Sequence, residues 1–330
     1  MDMSEISFRD GLREVLRSEL TREPAMVVVG ENVATWGGAA GVTQGLADEF
    51  GPRRVIETPV VENVIVGLAL GAALAGLTVV AEVYSADFLL CAGSEVMNDI
   101  AKWRFQHHWD APINLVLRMP MCSSGIAAGP EHTQAIEGWL HHVPGLVVVI
   151  PGDVREAVGS LRAALGCGDP VIFLEHRRLY DMRQEVSVSD LASYKRNLRS
   201  GSIVRRGADL TIVAWGWMRQ LVERVARGLE DERASIEIVD PVTIKPMDID
   251  LITDSVTKTK RLLVVEEAPI TGSVSAEIIA RVIEARISGL KGVERLTMPD
   301  LPNPFDPELE ASLVPDEYRI RLAIDRVLAC

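Results

Sequence analysis

Short apolar runs alternate with stretches of helical hydrophobic spacing along the first half of the chain. The runs that predict buried strands lie at 25–30, 55–57, 78–83, 112–118, 145–150 and 170–175. Apolar positions recur at helical spacing over 5–22, 63–76, 89–106, 132–142 and 153–165. A Gly-rich loop is predicted at 37–41 and another loop at 120–131. Because strands that alternate with helices form largely parallel sheets covered on both faces, the pattern predicts an α/β fold.

A polar, charged stretch from about residue 180 to 205 interrupts this alternation and is typical of an interdomain segment. Strands are predicted again at 209–214, 235–239 and 261–265, and helices at 218–229, 248–258, 273–287 and 317–328. The four prolines between 299 and 307 predict a mostly extended tail before the last helix. We therefore expect two domains, 1–185 and 206–330, joined by a linker at 186–205. Each is expected to be a mostly parallel sheet with helices on both faces.

Composition restricts the class of protein. The 330 residues are 48% hydrophobic and 25% charged, which fits a globular protein with two full cores. The formal net charge of −13 argues against a nucleic-acid partner, because such binding depends largely on Lys and Arg. No stretch is convincing as a membrane span, and no secretory signal is visible. The four cysteines lack CxxC or framework spacing, which is typical of a reducing compartment, so we expect a cytoplasmic protein.

Several common site types are missing from the sequence. There is no GxGxxG dinucleotide fingerprint, no GxxxxGK[ST] phosphate loop and no GxSxG nucleophile elbow. The pairs His107-His108 and His141-His142 lack the i, i+4 spacing that places two metal ligands on one helix face. The sequence therefore gives no support to a nicotinamide dehydrogenase, a serine hydrolase or a metal site formed by this chain.

One carboxylate stands at an unusual place. Glu62 follows the run 55–61 and opens a helix of small and apolar residues, while Pro59 ends the preceding strand-like stretch. If close packing carries Glu62 into a dry environment, the carboxylate needs a partner or a raised pKa. An exposed first-turn Glu, stabilised by the helix dipole, explains the same residues. The residues alone leave both interpretations open.

An ordered set of motifs covers essentially the whole chain. The motifs stand at 30–33, 58–62, 86–88, 98–102, 129–134, 144–146, 239–246 and 262–267. Together they resemble the β subunit of thiamine-diphosphate-dependent 2-oxoacid dehydrogenase E1 components. The segments 137–140 and 173–176 are most similar to the pyruvate and acetoin types. The resemblance implies a transketolase-like pyrimidine-binding domain followed by a transketolase C-terminal domain.

The resemblance assigns roles to three residues. Glu62 matches the Glu that hydrogen-bonds N1′ of the cofactor's aminopyrimidine ring, and Phe88 matches the aromatic residue that stacks on that ring. His132 matches the active-site His on the thiazolium side, where an imidazole suits proton transfer or anion stabilisation. The expected catalytic residues are therefore Glu62 and His132, and the expected cofactor-binding residues are Glu62 and Phe88.

The resemblance also implies a missing half of the site. In the family, thiamine diphosphate and Mg²⁺ are held through a Gly-Asp-Gly motif, which this chain lacks. It therefore implies an E1 α subunit that completes the site at the α/β interface of an α2β2 heterotetramer, with the small-residue helix 63–76 as a close-contact element. Potassium is left undecided, because Cys167 stands where the family's potassium loop usually has Asp.

The reaction implied is oxidative decarboxylation of a pyruvate-like 2-oxo acid, with transfer of the acyl group to a lipoyl-bearing acyltransferase or carrier protein. Ser94-Glu95 replaces the family's usual Asp-Gln, and this departure keeps a second reaction open. In that alternative, a split transketolase-like subunit transfers a two-carbon ketol unit from a sugar phosphate to an aldose or carrier protein. A non-catalytic scaffold subunit is a third possibility, against which the presence of both Glu62 and His132 counts.

Overall fold

The computed structural model describes residues 3–122, 127–229 and 234–330, so residues 123–126 of the predicted loop 120–131 lie outside it. The chain forms two compact units. The first comprises the chain up to Met121 together with Leu140–Leu198, and the second comprises Cys122–Trp139 and Arg199–Cys330. The short segment Cys122–Trp139 therefore belongs to the second unit although it interrupts the sequence of the first.

The first unit is built on parallel strands. Its strands are β1 (Met3–Ser7), β2 (Met26–Glu31), β3 (Val55–Thr58), β4 (Thr78–Glu82), β5 (Leu115–Met121), β6 (Val147–Val149), β7 (Val171–His176) and β8 (Arg183–Ser187). Its helices are α1 (Phe8–Arg22), α2 (Leu46–Phe50), α3 (Glu62–Leu74), α4 (Trp103–His107), the second half of α5 (Glu137–His142), α6 (Val154–Ala164) and α7 (Val188–Ser193).

The parallel strands lie in the order β6-β7-β5-β4-β2-β3. Every residue of β2, β5 and β7 is buried, as expected for strands covered on both faces. In the sequence such strands appear as largely continuous apolar runs, which explains why the hydrophobic pattern predicted their positions.

The N-terminus departs from the prediction of a helix over 5–22. Residues Met3–Ser7 form β1, which pairs antiparallel with β8. Helix α1 begins only at Phe8, because the Ser7 hydroxyl accepts a hydrogen bond from the Asp10 backbone N–H at 3.1 Å and caps the helix. The helical prediction for residues 5–7 was therefore wrong, while the apolar face of the remaining helix is buried as predicted.

The second unit has its own sheet in the order β14-β13-β10-β11-β9, parallel except for the β11–β9 pair. Its strands are β9 (Ser202–Arg205), β10 (Leu210–Ala214), β11 (Ile236–Asp240), β12 (Thr243–Lys245), β13 (Arg261–Pro269) and β14 (Gly292–Met298). Its helices are α8 (Gly216–Gly228), α9 (Ile249–Thr259), α10 (Val274–Glu284), α11 (Pro307–Leu313) and α12 (Glu317–Leu328). Helices α8 and α12 contribute to one apolar core with β10, β11 and β13. The predicted α/β class is confirmed, whereas β9, β12, β14 and α11 were not predicted, and β9 lies within the stretch predicted as a linker.

Across the described ranges, no helix is both long and apolar enough to cross a bilayer.

Candidate active site

Glu62 is the first residue of α3. The strand β3 ends at Thr58, Pro59 follows it, and Val61 in extended conformation precedes the helix. The Glu62 side chain is half-buried, and within the described residues its carboxylate has no hydrogen-bond or ion-pair partner. A half-buried carboxylate at a helix start, with no partner among the described residues, is available to bind a ligand.

A second carboxylate lies close to Glu62. Glu31 ends β2, is 3% exposed, and accepts a hydrogen bond from the Tyr84 backbone N–H at 3.0 Å. Burial raises the pKa of Glu31, and the charge of Glu62 raises it further. Two neighbouring carboxyl groups of unequal environment are suited to holding and passing a proton. Sequence reasoning did not single out Glu31, which appeared there only as part of a motif.

Phe88 lies in a short 3₁₀ segment, Ala86–Ala92, that packs against α3. The turn is fixed by polar contacts: the Ser85 hydroxyl donates to Asp87 at 2.6 Å, and Arg177 donates to Ser85 at 2.7 Å. The Phe88 ring is half-buried. The first unit therefore brings the segment that carries Phe88 against the helix that begins with Glu62.

The predicted helix 89–106 is wrong as a continuous element. The chain instead runs through the 3₁₀ segment, a π-helical turn over Glu95–Ile100, and α4. Irregular helical turns of this kind are frequent at functional sites.

His132 belongs to the second unit, on the segment before α5. Helix α5 begins at Glu137, so the prediction of a helix from residue 132 was wrong. Instead, the backbone turns at Gly129, whose φ of +78° favours glycine. The Thr133 hydroxyl donates to the Gly129 carbonyl oxygen at 2.6 Å, and the His132 side chain is exposed. The imidazole is thus carried by a hydrogen-bonded turn.

Helix α3 presents an apolar surface to solvent. A Cβ atom added at Gly67 or Gly71 would meet nothing within 4 Å, so the backbone itself is accessible there. Large apolar side chains on and near this surface are also exposed: Val60, Val61, Val64, Leu68 and Leu90. We call these seven residues the α3 surface. Contiguous exposed apolar residues of this kind mark interaction sites.

A buried acidic pair lies behind the His132 turn, within the second unit. Glu137 and Glu266 are 1% and 0% exposed. Trp215 Nε1 donates to Glu137 at 3.4 Å, and the Ser275 backbone N–H donates to Glu266 at 2.9 Å. Burial, and then the charge of Glu266, raise the pKa of Glu137 to about 8. Glu137 is therefore largely protonated at neutral pH.

This protonation makes stability depend on pH. Because the pKa of Glu137 is raised from 4.5 to about 8 by folding, the folded chain holds a proton that the unfolded chain releases. Its contribution to the free energy of unfolding is complete below pH 4.5 and falls as the pH rises through 8. Glu137→Gln imitates the protonated acid. At pH 8.5 we expect its free energy of unfolding to exceed that of the wild type by about 2 kcal/mol. Thermal melts of both chains from pH 5 to 9 test this, and a constant difference in melting temperature across the series contradicts it.

Carbonyl oxygens of the loop after α6 are contacted by hydrogen-bond donors of the same chain. The Cys167 thiol lies 3.4 Å from the Ala164 carbonyl oxygen and 3.2 Å from that of Asp169. The Gly168 carbonyl oxygen accepts hydrogen bonds from the Ile113 backbone N–H, at 2.9 Å, and from the Arg104 guanidinium. The carbonyl groups of Ala164, Gly168 and Asp169 in this loop thus already have donors.

Comparison with protein families gives two matches. Residues 4–183 match the pyrimidine binding domain of transketolase, and residues 200–320 match the transketolase C-terminal domain. The two matches together cover most of the chain.

Individual relatives resemble the chain over nearly its full length. It is 33% identical to the pyruvate dehydrogenase E1 component subunit beta of Porphyra purpurea, over 99% of this chain and 98% of that protein. It is 34% identical to the acetoin:2,6-dichlorophenolindophenol oxidoreductase subunit beta of Cupriavidus necator, over 98% and 97%. A solved split-gene transketolase, described as an inactive β4 tetramer, superposes with a TM-score of 0.81 at 19% identity, over 98% of this chain and 99% of that one. The last likeness concerns the fold alone.

Proposed function

This chain belongs to the transketolase-like family of E1 β subunits, and on that premise we propose that Glu62, Phe88 and His132 form its half of a thiamine diphosphate site. The enzyme is a 2-oxoacid decarboxylase of the pyruvate and acetoin dehydrogenase type. The observation that carries the site proposal is the half-buried Glu62 carboxylate, which has no hydrogen-bond or ion-pair partner in the described part of the chain.

The residues present fit the aminopyrimidine end of the cofactor. Glu62 would share a proton with N1′ of the ring, and the neighbouring Glu31, whose pKa is raised, would hold a proton in reserve. Phe88 would stack on the pyrimidine. His132 would stabilise negative charge on the reacting substrate. When bound, thiamine diphosphate supplies the nucleophilic carbon that attacks a 2-oxo acid.

The diphosphate end requires a partner. A diphosphate leaves water only when a cation and preorganised donors receive it, and this sequence has no Gly-Asp-Gly motif to hold Mg²⁺. We infer that an α subunit contributes Mg²⁺ and diphosphate binding in an α2β2 assembly. The exposed α3 surface supports this inference, because accessible glycines allow the backbone of a partner to approach closely.

The loop after α6 does not fit a potassium ion. Its carbonyl oxygens are approached by the Cys167 thiol, the Ile113 N–H and the Arg104 guanidinium. Arg104 Nε also lies 3.3 Å from Asp169 Oδ1, so this carboxylate is already paired with a guanidinium. We therefore propose no potassium ion for this loop.

The expected substrates are a pyruvate-like 2-oxo acid and a lipoyl domain, and the decisive assay compares donors. The chain, reconstituted with its α subunit, Mg²⁺ and thiamine diphosphate, is expected to consume pyruvate and acylate a lipoyl domain. Consumption of a ketose phosphate instead would favour the split transketolase alternative. Calorimetry that detects no cofactor binding, with the α subunit present, would favour a scaffold subunit.

The cytoplasmic location and the domain boundaries 1–185 and 206–330 remain proposals that rest on the sequence.

The α3 surface offers a test of the assembly. Leu68→Glu places a charge at the centre of this surface, on a side chain that is 47% exposed, so folding of the free chain should be little affected. We expect the affinity for the α subunit to fall at least about tenfold, because a charge at an interface core must be desolvated.

The matched control is Ile283→Glu, at a 52% exposed position on α10. Sedimentation of each variant with the α subunit measures assembly. Unchanged assembly of Leu68→Glu would remove α3 from the interface.

A further inference from the structure

The segment that carries His132 is held by the proline-rich tail of the same unit. Residues 127–136 contain no helix or strand. Residues 299–306, between β14 and α11, are irregular as well. Irregular segments need specific contacts to keep one conformation, since they lack a ladder of backbone hydrogen bonds. Two contacts between these segments, and a third from the adjacent helix α11, hold the conformation of the His132 segment.

The central contact is made by Asn303. Its side chain is 7% exposed, and its Nδ2 donates to the Thr133 carbonyl oxygen at 2.8 Å and to the Thr133 hydroxyl at 2.9 Å. That hydroxyl in turn donates to the Gly129 carbonyl oxygen at 2.6 Å. The result is a continuous chain of hydrogen bonds, in which each bond polarises the next. It closes the turn from Gly129 to Thr133, with His132 inside it.

Two further contacts are made by residues that follow Asn303 in the sequence. The Phe305 ring lies so close to Gly129 that an added Cβ would come within 2.3 Å of Phe305 Cε1. Glu310, which is fully buried in helix α11 after this segment, accepts a hydrogen bond from the Ala127 backbone N–H at 3.1 Å. The tail and α11 thus contact the segment just before the turn, at Ala127, and at both ends of the turn, at Gly129 and Thr133.

We propose that Asn303 is a positioning residue, which orients His132 by holding Thr133 and thereby the turn that presents the imidazole. The inference rests on the proposed function, because it gives Asn303 a role in turnover only through His132. A displacement of about 1 Å in a reacting group can cost about 10²-fold in rate. We therefore expect Asn303→Ala to lower kcat by about 10- to 100-fold.

Hydrogen exchange of the full chain tests the contact without any assumption about catalysis. Asn303→Ala is expected to raise the exchange rate of amides in 129–133 about tenfold, and to leave α10 unchanged. The matched control is Gln106→Ala, which removes an exposed amide side chain. If Asn303→Ala does not fold, Asn303→Asp replaces it, since it keeps the size of the side chain but cannot donate. Unchanged exchange in 129–133 overturns the proposal.

Turnover of the complex with the α subunit tests the route through His132. In a His132→Gln background, Asn303→Ala should cause no further loss of kcat. His132→Gln is expected to abolish one limb of the pH profile of kcat, and the same limb should shift in the single variant Asn303→Ala. Thr133→Ser should retain activity, because it keeps the hydroxyl, whereas Thr133→Val should not. An equal loss in both backgrounds refutes a positioning role. If His132→Gln itself keeps full turnover, the proposed role of His132 fails, while the exchange result still decides whether Asn303 holds the turn.

Discussion

Glu62→Gln should nearly abolish turnover of the reconstituted enzyme. The amide has the size of the carboxylate but cannot exchange a proton with the aminopyrimidine ring, and general acid–base groups contribute about 10²- to 10⁴-fold. Exchange of the thiazolium C2 proton of the bound cofactor with deuterated solvent, followed by NMR, should slow by a similar factor.

Cofactor binding separates this chemical role from a loss of structure. Because Phe88 and the partner's contacts remain, calorimetry should detect thiamine diphosphate binding by the variant. Glu14→Gln, a carboxylate on the surface of α1 that pairs with Arg17, is the control and should exchange the C2 proton at the wild-type rate. Near-normal C2 exchange in Glu62→Gln would withdraw the proton-transfer role from this residue.

Glu31→Gln is expected to act in the same direction with a smaller effect, because in the proposed site Glu31 influences the cofactor only through Glu62. Its location could not be deduced from hydrophobic spacing. The pattern indicated that β2 ends near residue 30, but the approach of Glu31 to Glu62 depends on the pairing of β2 with β3 and β4. Neighbouring strands in a sheet are not identified by the order of apolar runs.

The parallel strands were predictable because both of their faces are buried, and such strands leave a continuous apolar signature. Helical segments with irregular geometry were harder to predict. Over 89–106 the apolar positions fit a helix, yet the chain forms 3₁₀, π-helical and α-helical turns in succession. Periodicity averages over such a stretch and does not register where the hydrogen-bonding pattern changes.

The hydrophobic pattern of the sequence also could not predict which charged residues are buried. Glu137 occupies a position in a predicted amphipathic helix, where an isolated acid usually faces solvent. The structure shows instead that it is buried, with Trp215 as a donor and Glu266 of β13 nearby. Likewise, the role of Asn303 depends on a contact with Thr133 that is 170 residues away in sequence.

Arg118 is the clearest case of a buried charge, and it lies within a predicted strand. Its side chain is 1% exposed and connects three neighbouring strands of the first unit. Its guanidinium donates to both carboxylate oxygens of Glu175, at 2.8 and 2.6 Å, and to Glu82. Glu82 also accepts the Ala39 N–H at 2.5 Å, which joins the Gly-rich loop to the sheet. This loop needs glycine at position 38, because a Cβ there would lie 2.1 Å from Glu82 Oε1.

A phenol completes the network. The Tyr180 hydroxyl donates to Glu175 at 2.7 Å, and burial together with the charge of Glu175 raises the pKa of Tyr180 well above its ordinary value. The hydroxyl therefore remains protonated and keeps donating. With Arg118 present, one positive charge offsets two buried carboxylates. Without it, both carboxylates lose their main partner in a dry environment.

Arg118→Met should therefore lower the free energy of unfolding of the chain by about 3 to 5 kcal/mol, which is the usual cost of leaving a buried charge without its partner. Urea titration of the isolated chain measures the loss. Arg17→Met, which removes an exposed ion pair with Glu14 and Glu49, should cost about 0.5 kcal/mol. The double variant Arg118→Met/Glu175→Gln should lose less than the sum of its single variants, because each change removes part of the same network. Additive losses would show that Arg118 stabilises the sheet through packing of its side chain and not through its charge.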